Sequence, residues 1–228
     1  MDKSIFIEEV RKIYPNRDIN FDLFEKYKEY IQKENEFYNL SNIVSDEKIY
    51  FEYFFNSILP YSDFNFNNKE LLDIGSGSGI PGIALKIIFP EMKLTIIESN
   101  LKKIKFMENL KDILLLDDVT FLNIRAEEIS WNNRERFDYV TSRAVANLKV
   151  LSEISIPYLK IDGLLIEPKS TNYLNEIEEA NWILKELKSE IIDIKKIKNL
   201  KEHNIIYIQK NKKTNIDYPR KWSIISAK

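Results

Sequence analysis

Residues 71–82 read LLDIGSGSGIPG: a short apolar run, three glycines at alternate positions, then a proline. LLDI (71–74) has the composition of a buried strand and the residues near 81–89 have helical spacing, so the glycines occupy a strand-to-helix turn. Gly75, Gly77 and Gly79 carry no side chain where the chain must turn, which permits positive φ and lets backbone N–H groups approach a ligand. A helix N-terminus faces the same place, and Pro81 suits its first turn because the missing N–H would be unpaired there anyway. The spacing alone admits two classes of ligand, since Gly77, Gly79 and Gly82 also satisfy the dinucleotide pattern G-x-G-x-x-G.

Working outward settles more. Downstream, β-rich runs at 93–98 (KLTIIE), 119–124 (VTFLNI), 137–142 (FDYVTS) and 163–168 (GLLIEP) are separated by helical spacing near 101–116, 147–159 and 172–190. Such alternation means βαβ units and a parallel sheet. Two further strand-like runs, IIDIKKIK (191–198) and NIIYIQK (204–210), are joined by a short polar turn and predict a terminal hairpin. Upstream, apolar-periodic stretches at about 4–14, 20–39 and 46–60 predict helices, with Asn20 or Asp22 capping the second and Pro60 closing the third. The fold class is therefore α/β, a Rossmann-like, mostly parallel seven-stranded sheet ending in an antiparallel hairpin, as in class I methyltransferases. A dehydrogenase would repeat a second βαβαβ half. The organisation expected is an N-terminal helical region (1–69) packed on a main domain (70–210), followed by a basic tail (211–228).

Three features favour S-adenosylmethionine as the ligand of the glycine turn over a nicotinamide cofactor. Asp73 precedes Gly75 by two residues, where its carboxylate can position the loop or an ammonium group. Glu98 ends the second strand, where an acid accepts hydrogen bonds from both ribose hydroxyls. The terminal hairpin is the third. Ala126 and Glu127 follow the third strand, either gripping an adenine or simply capping a helix. Arg143 follows the fourth strand and Lys169 the fifth, both at the carboxyl edge of the sheet where ligands bind.

Composition narrows the chemistry. There is no cysteine and a single histidine, His203, which excludes a disulfide framework, a thiolate nucleophile and a cysteine- or histidine-based metal site. Pyrimidine C5 methylation through a cysteine adduct goes with them. The N-terminus carries acids within its first ten residues, and no apolar run approaches the roughly 18–20 residues needed to cross a bilayer. A soluble, cytoplasmic chain acting as a monomer is expected. Net charge is −2, yet residues 195–228 hold 10 Lys and Arg against 2 acids. Such asymmetry is a phosphate-binding footprint, or else a solvated lysine-rich edge. Lys212, Lys213, Arg220 and Lys221 are the expected RNA contacts. The tail is expected to order only on meeting RNA, and its loss to leave cofactor binding intact.

These residues resemble a known family. DIGSGSGIPGIALKI, TSRAVANLKVLSE and YPRK are similar to the RsmG family, also called glucose-inhibited division protein B, and the resemblance covers nearly the whole chain. The family's Asn-Leu-Thr segment is read as Asn39-Leu40-Ser41, its Asp-Ser pair as Asn56-Ser57, its Ser-Arg-Ala motif as Ser142-Arg143-Ala144 and its tail motif as Tyr218-Pro219-Arg220-Lys221. Departures are Tyr53 for a histidine, Ile80 for a phenylalanine, Glu98 for an aspartate, and Glu167-Pro168-Lys169-Ser170 for Ala-Leu-Lys-Gly. The resemblance implies S-adenosylmethionine-dependent methylation of N7 of a guanine in 16S ribosomal RNA. By resemblance Gly75, Ile80, Ala126, Glu127 and Arg143 line the cofactor site, and Arg143 and Lys169 are expected to orient base or phosphate. The rivals are a nicotinamide-dependent oxidoreductase and a catalytically silent RNA-binding module on the same fold.

Overall fold

The computed structural model describes residues 1–38, 45–129, 131–197 and 204–226. The Asn39-Leu40-Ser41 segment, His203 and the turn of the terminal hairpin lie outside the described residues. Five strands follow the expected runs: β1 (Glu70–Ile74), β2 (Lys93–Ile97), β3 (Val119–Leu122), β4 (Phe137–Ser142) and β5 (Leu159–Lys169). With β6 (Ser189–Lys196) and β7 (Asn204–Lys210) they form one sheet in the order β3-β2-β1-β4-β5-β7-β6. The first five pair in parallel and β7 runs antiparallel to both β5 and β6. Because β1 pairs with β2 on one side and β4 on the other, chain direction across the sheet reverses there. A crevice at that reversal, beyond the carboxyl ends of the strands, is where an open α/β sheet binds ligands.

Both faces of the sheet are covered, which is why β1 reads as a continuous apolar run instead of alternating. Leu71 enters the core on one face and Leu72 the core on the other. The first core is shared with α1 (Lys3–Ile13), α2 (Asp22–Tyr38), α5 (Gly82–Ile88) and α6 (Leu101–Leu114) through Phe6, Phe24, Tyr27, Ile83 and Phe106. A broken helical run joins them: α3 (Asp46–Lys48), a π-helical stretch Ile49–Phe55, α4 (Asn56–Ile58) and a 3-10 turn Leu59–Tyr61 that contains Pro60. The N-terminal region is thus packed on the sheet by the same buried cluster that packs α5 and α6. The second core takes α7 (Leu148–Ser155) and α8 (Tyr173–Glu186) through Leu148, Leu151, Ala180 and Ile183.

Several features differ from expectation, α8 and β6 also ending or starting a few residues away, and three have a clear physical cause. α7 stops at Ser155, where a helix to 159 was expected, because Pro157 cannot donate in a helical ladder; residues Ile156–Tyr158 form a 3-10 turn. β5 begins at Leu159, four residues early, because Leu159 pairs with Phe137 and Leu164 with Tyr139 across an irregularity that ends at Asp162 (φ 65°) and Gly163. The tail does not wait for RNA. Residues 211–226 lie along the second face, with Thr214 and Ile225 buried and α9 (Trp222–Ile225) at their end. The buried carboxylate of Glu153 demands a cation, and the tail supplies Arg220.

Candidate functional site

The turn after β1 is held from beneath. Asp73, fully buried, accepts the Ser76 hydroxyl at 2.6 Å and the Gly82 N–H at 2.8 Å with one oxygen, while its other oxygen has no hydrogen-bond partner. Its carboxylate therefore positions the loop, one of the two roles open to it on sequence. Burial pushes its pKa up to about 6, against the pull of those two donors. Gly75 sits at φ 70° and a Cβ there would lie 2.6 Å from Val145 Cγ2, so another residue would be strained in its backbone and would have to push the Val145 side chain aside. At Gly77 (φ 64°) the nearest atom to a Cβ would be the Lys103 ammonium at 4.0 Å, which leaves an open cradle beside the backbone.

Two chambers flank Gly75 at the carboxyl ends of β1, β2 and β4. The first, about 140 Å³, is lined by Glu98, Ser99, Arg125, Ala126, Glu127, Val145 and other apolar side chains. Glu98 uses one oxygen for the Gly77 N–H at 3.2 Å and the other for the Asn100 N–H at 2.9 Å, which ties the end of β2 to the glycine turn. Each carboxylate oxygen keeps acceptor capacity for a further donor. Glu127 is not a helix cap here: its buried Oε1 has no hydrogen-bond partner, with the Arg125 guanidinium 3.9 Å away. The second chamber, about 300 Å³, is lined by Glu52, Tyr53, Gly75, Gly77, Ile80, Lys103 and Arg143.

The N-terminal region builds the floor of this second chamber. Tyr27 donates to the Ser78 carbonyl at 2.6 Å and the Tyr53 hydroxyl bonds the Ser78 hydroxyl, so two tyrosines clamp the glycine turn. Arg143 donates to the Ser57 hydroxyl at 2.5 Å and to the Glu52 carbonyl at 3.4 Å. Its guanidinium is thereby fixed at the mouth of the chamber. Lys169 is placed differently: it is 7% exposed, donates to the Ala146 carbonyl at 2.8 Å, pairs with Glu176 at 3.0 Å and lines neither chamber. A buried ammonium needs such partners, and they place it behind Ala146, a lining residue of the first chamber, without bringing it into either chamber.

A family model described as rRNA small subunit methyltransferase G, GidB, matches residues 20–206. The chain belongs to this family. The Ribosomal RNA small subunit methyltransferase G of Malacoplasma penetrans is 46% identical over 206 residues, 87% of this chain and 86% of its own. Its namesake from Ureaplasma parvum serovar 3 is 43% identical over 210 residues, 90% of this chain and 98% of its own. Among solved structures, a putative S-adenosyl-L-methionine-dependent methyltransferase from Methanococcus maripaludis superposes with a TM-score of 0.55 at 13% identity, over 83% of this chain and 94% of its own. Aeropyrum pernix fibrillarin with natively bound S-adenosyl-L-methionine gives 0.54 at 14% identity, over 67% of this chain and 72% of its own. These likenesses support the class I methyltransferase fold.

Several GidB-family positions acquire physical roles. Ser57, of the Asn56-Ser57 pair, is the hydroxyl that holds Arg143. Tyr53, standing where the family's histidine was expected, grips the glycine turn. Arg220 of the YPRK motif, expected on RNA, spends its guanidinium on Glu153, donating from Nε at 2.7 Å and from Nη2 at 2.6 Å. Lys212, Lys213 and Lys221 remain exposed. Sequence reasoning passed over Lys103 and Trp222; the first sits in the opening turn of α6 behind the Asn100 cap, the second beside the recognised tail motif. Trp222 lines the first chamber, so the tail reaches the carboxyl edge of the sheet. Among the described residues no helix is long and apolar enough to cross a membrane, and no group of three or more His, Cys, Asp or Glu is placed to hold a metal.

Proposed function

We propose that this chain transfers a methyl group from S-adenosylmethionine to N7 of a guanine in small-subunit ribosomal RNA, acting as a monomer. The observation that carries the reading is the division of the site at Gly75 into a chamber with acids and an apolar wall and a second chamber with a fixed arginine. The first suits adenosine: Glu98 has acceptor capacity for ribose hydroxyls, and the orphan Glu127 Oε1 suits the exocyclic amine of adenine. The open cradle at Gly77 and the Lys103 ammonium suit the amino-acid end, with Lys103 complementing its carboxylate. When bound, S-adenosylmethionine supplies an electrophilic sulfonium methyl.

The chain's own residues then have a modest task. Guanine N7 presents a lone pair with no proton to remove, so no general base is required and alignment supplies most of the rate. Arg143, anchored by Ser57 and the Glu52 carbonyl, presents donors at the second chamber, where a guanine O6 or a flanking phosphate would accept them. The clamped glycine turn holds the two chambers in fixed relation. Exposed Lys212, Lys213 and Lys221 supply charge for the RNA backbone.

Substrate RNA with 7-deazaguanine at the modified position tests the atom. It keeps the Watson–Crick edge and the stacking face but puts C–H where the nucleophile was. Binding should weaken only by the loss of one hydrogen bond, about 0.5–1.5 kcal/mol, or up to about 3 if Arg143 donates it, while turnover should vanish. Methyl transfer to the deaza base, verified by mass-spectrometric mapping, would refute N7.

A further inference from the structure

The first chamber has one wall from far along the chain. Trp222 opens α9 and lines this chamber together with Val145, Val150, Ile154, Glu98 and Glu127. The segment bearing it is anchored at several points. Arg220 gives its backbone N–H and Nε to Glu153 Oε1 at 2.9 and 2.7 Å and Nη2 to Oε2 at 2.6 Å, and Glu153 is 1% exposed. Arg134 donates to the carbonyls of Thr214 and Asn215, both at 3.1 Å, and to that of Tyr218. Ile225, three residues beyond the ring, is 2% exposed.

The ring itself is not consumed by this anchoring. Trp222 keeps 41% of its surface open, with the Arg125 guanidinium 5.7 Å from the ring centroid as its cationic neighbour. An ion pair with a buried carboxylate and a row of carbonyl contacts thus hold a large flat apolar surface at a chamber lined by aliphatic side chains on one part and by Glu98, Arg125 and Glu127 on another, where the Glu127 Oε1 has no hydrogen-bond partner. Flat apolar faces with acceptors at the rim are the recognition chemistry of an aminopurine.

We infer that Trp222 is a binding residue for the adenine of the cofactor, so that the C-terminal segment completes the adenosine chamber and does not serve RNA alone. The inference rests on the S-adenosylmethionine reading above. It reverses the expectation that loss of residues 211–228 leaves cofactor affinity intact.

Calorimetric titration of the full-length chain with S-adenosylhomocysteine, and separately with adenosine, tests it. Trp222→Ala should weaken both ligands by about tenfold, the order of one lost base–aromatic contact, while ligand-free melting curves match those of the unaltered chain. Trp222→Phe should restore affinity to within about threefold, which loss of a merely structural residue would not require. S-adenosylhomocysteine should also change the tryptophan emission of the unaltered chain, and that change should disappear in Trp222→Phe although the variant still binds. Unaltered affinity in Trp222→Ala, or an emission change that survives in Trp222→Phe, would overturn the inference. Failure of the unaltered chain to bind S-adenosylhomocysteine would instead sink the cofactor reading, before any variant is compared.

Discussion

Glu167 ends up 1% exposed near the carboxyl end of β5, with the Ser142 hydroxyl 3.0 and 2.9 Å from its two oxygens. Burial pushes its pKa up to about 8, although Lys169 and Ser142 pull the other way. Asp73 is raised in the same sense, to about 6. Both carboxyls hold a proton in the folded chain over a pH range where the unfolded chain has released it. The contribution of these two groups to stability is therefore fully present below the unfolded carboxyl range and is lost as pH rises towards 8. Glu167→Gln should remove most of that slope and make the protein more stable than the parent above pH 8, by on the order of 2 kcal/mol. Denaturant midpoints measured from pH 5 to 8.5 would show it; parallel profiles for parent and variant would refute the assignment. At Glu98 the expected effect is on binding. Glu98→Ala removes charge-assisted hydrogen bonds worth about 1.5–3 kcal/mol, so S-adenosylhomocysteine affinity should fall roughly tenfold to a hundredfold in a folded protein. Unchanged affinity by calorimetry would take Glu98 out of the site. Asp73, Glu98 and the glycines were legible in the sequence because they sit within or at the end of adjacent strands. The Ser57–Arg143 bond and the Trp222 wall were not, since each joins residues that only the folded sheet brings together.

At the scale of elements, the strand and helix runs declared themselves through apolar spacing, and the misreadings lie at their ends. Asp162 and Gly163 make an irregularity within β5 that reads, residue by residue, as the start of a strand. The tail misled for another reason: its lysines dominate its composition, while the contacts that dock it include the Arg220–Glu153 ion pair, carbonyls that accept from Arg134 and the buried Ile225. Arg220→Ala should leave the 1%-exposed Glu153 carboxylate without its cation and cost about 3 kcal/mol or more. Pairing it with Glu153→Leu should recover much of that loss, because the uncompensated charge goes too. Chemical denaturation of the two variants decides the matter. A double variant no more stable than Arg220→Ala would mean that the ion pair is not what holds the tail.

The molecule as a whole is a covered sheet whose N-terminal helices share a core with α5 and α6 and reach into the site through Tyr27, Tyr53 and Ser57. Helical spacing foretold these helices, but only tertiary contact shows them to be part of the site. Charge is distributed on the same scale. Replacing Lys212, Lys213 and Lys221 together by Ala should weaken RNA binding and flatten the log–log salt dependence by about 0.7–0.9 per lost phosphate contact. Filter binding across a salt series measures the slope, and equal slopes would make these lysines a solubility feature.

The position of β7 also bears on how the chain is made. β7 lies between β5 and β6, yet it follows β6 in the chain. A polypeptide emerging from the ribosome therefore presents the outermost strand before the one that connects it to the rest. About forty residues separate the end of β5 from the end of β7, so at roughly 5–20 residues per second the edge of β5 waits some 2–8 seconds for its neighbour. During that interval five parallel strands end in an open row of unpaired amides and carbonyls, the kind of edge that recruits foreign strands. β7 removes that edge by pairing with β5 on one side and β6 on the other.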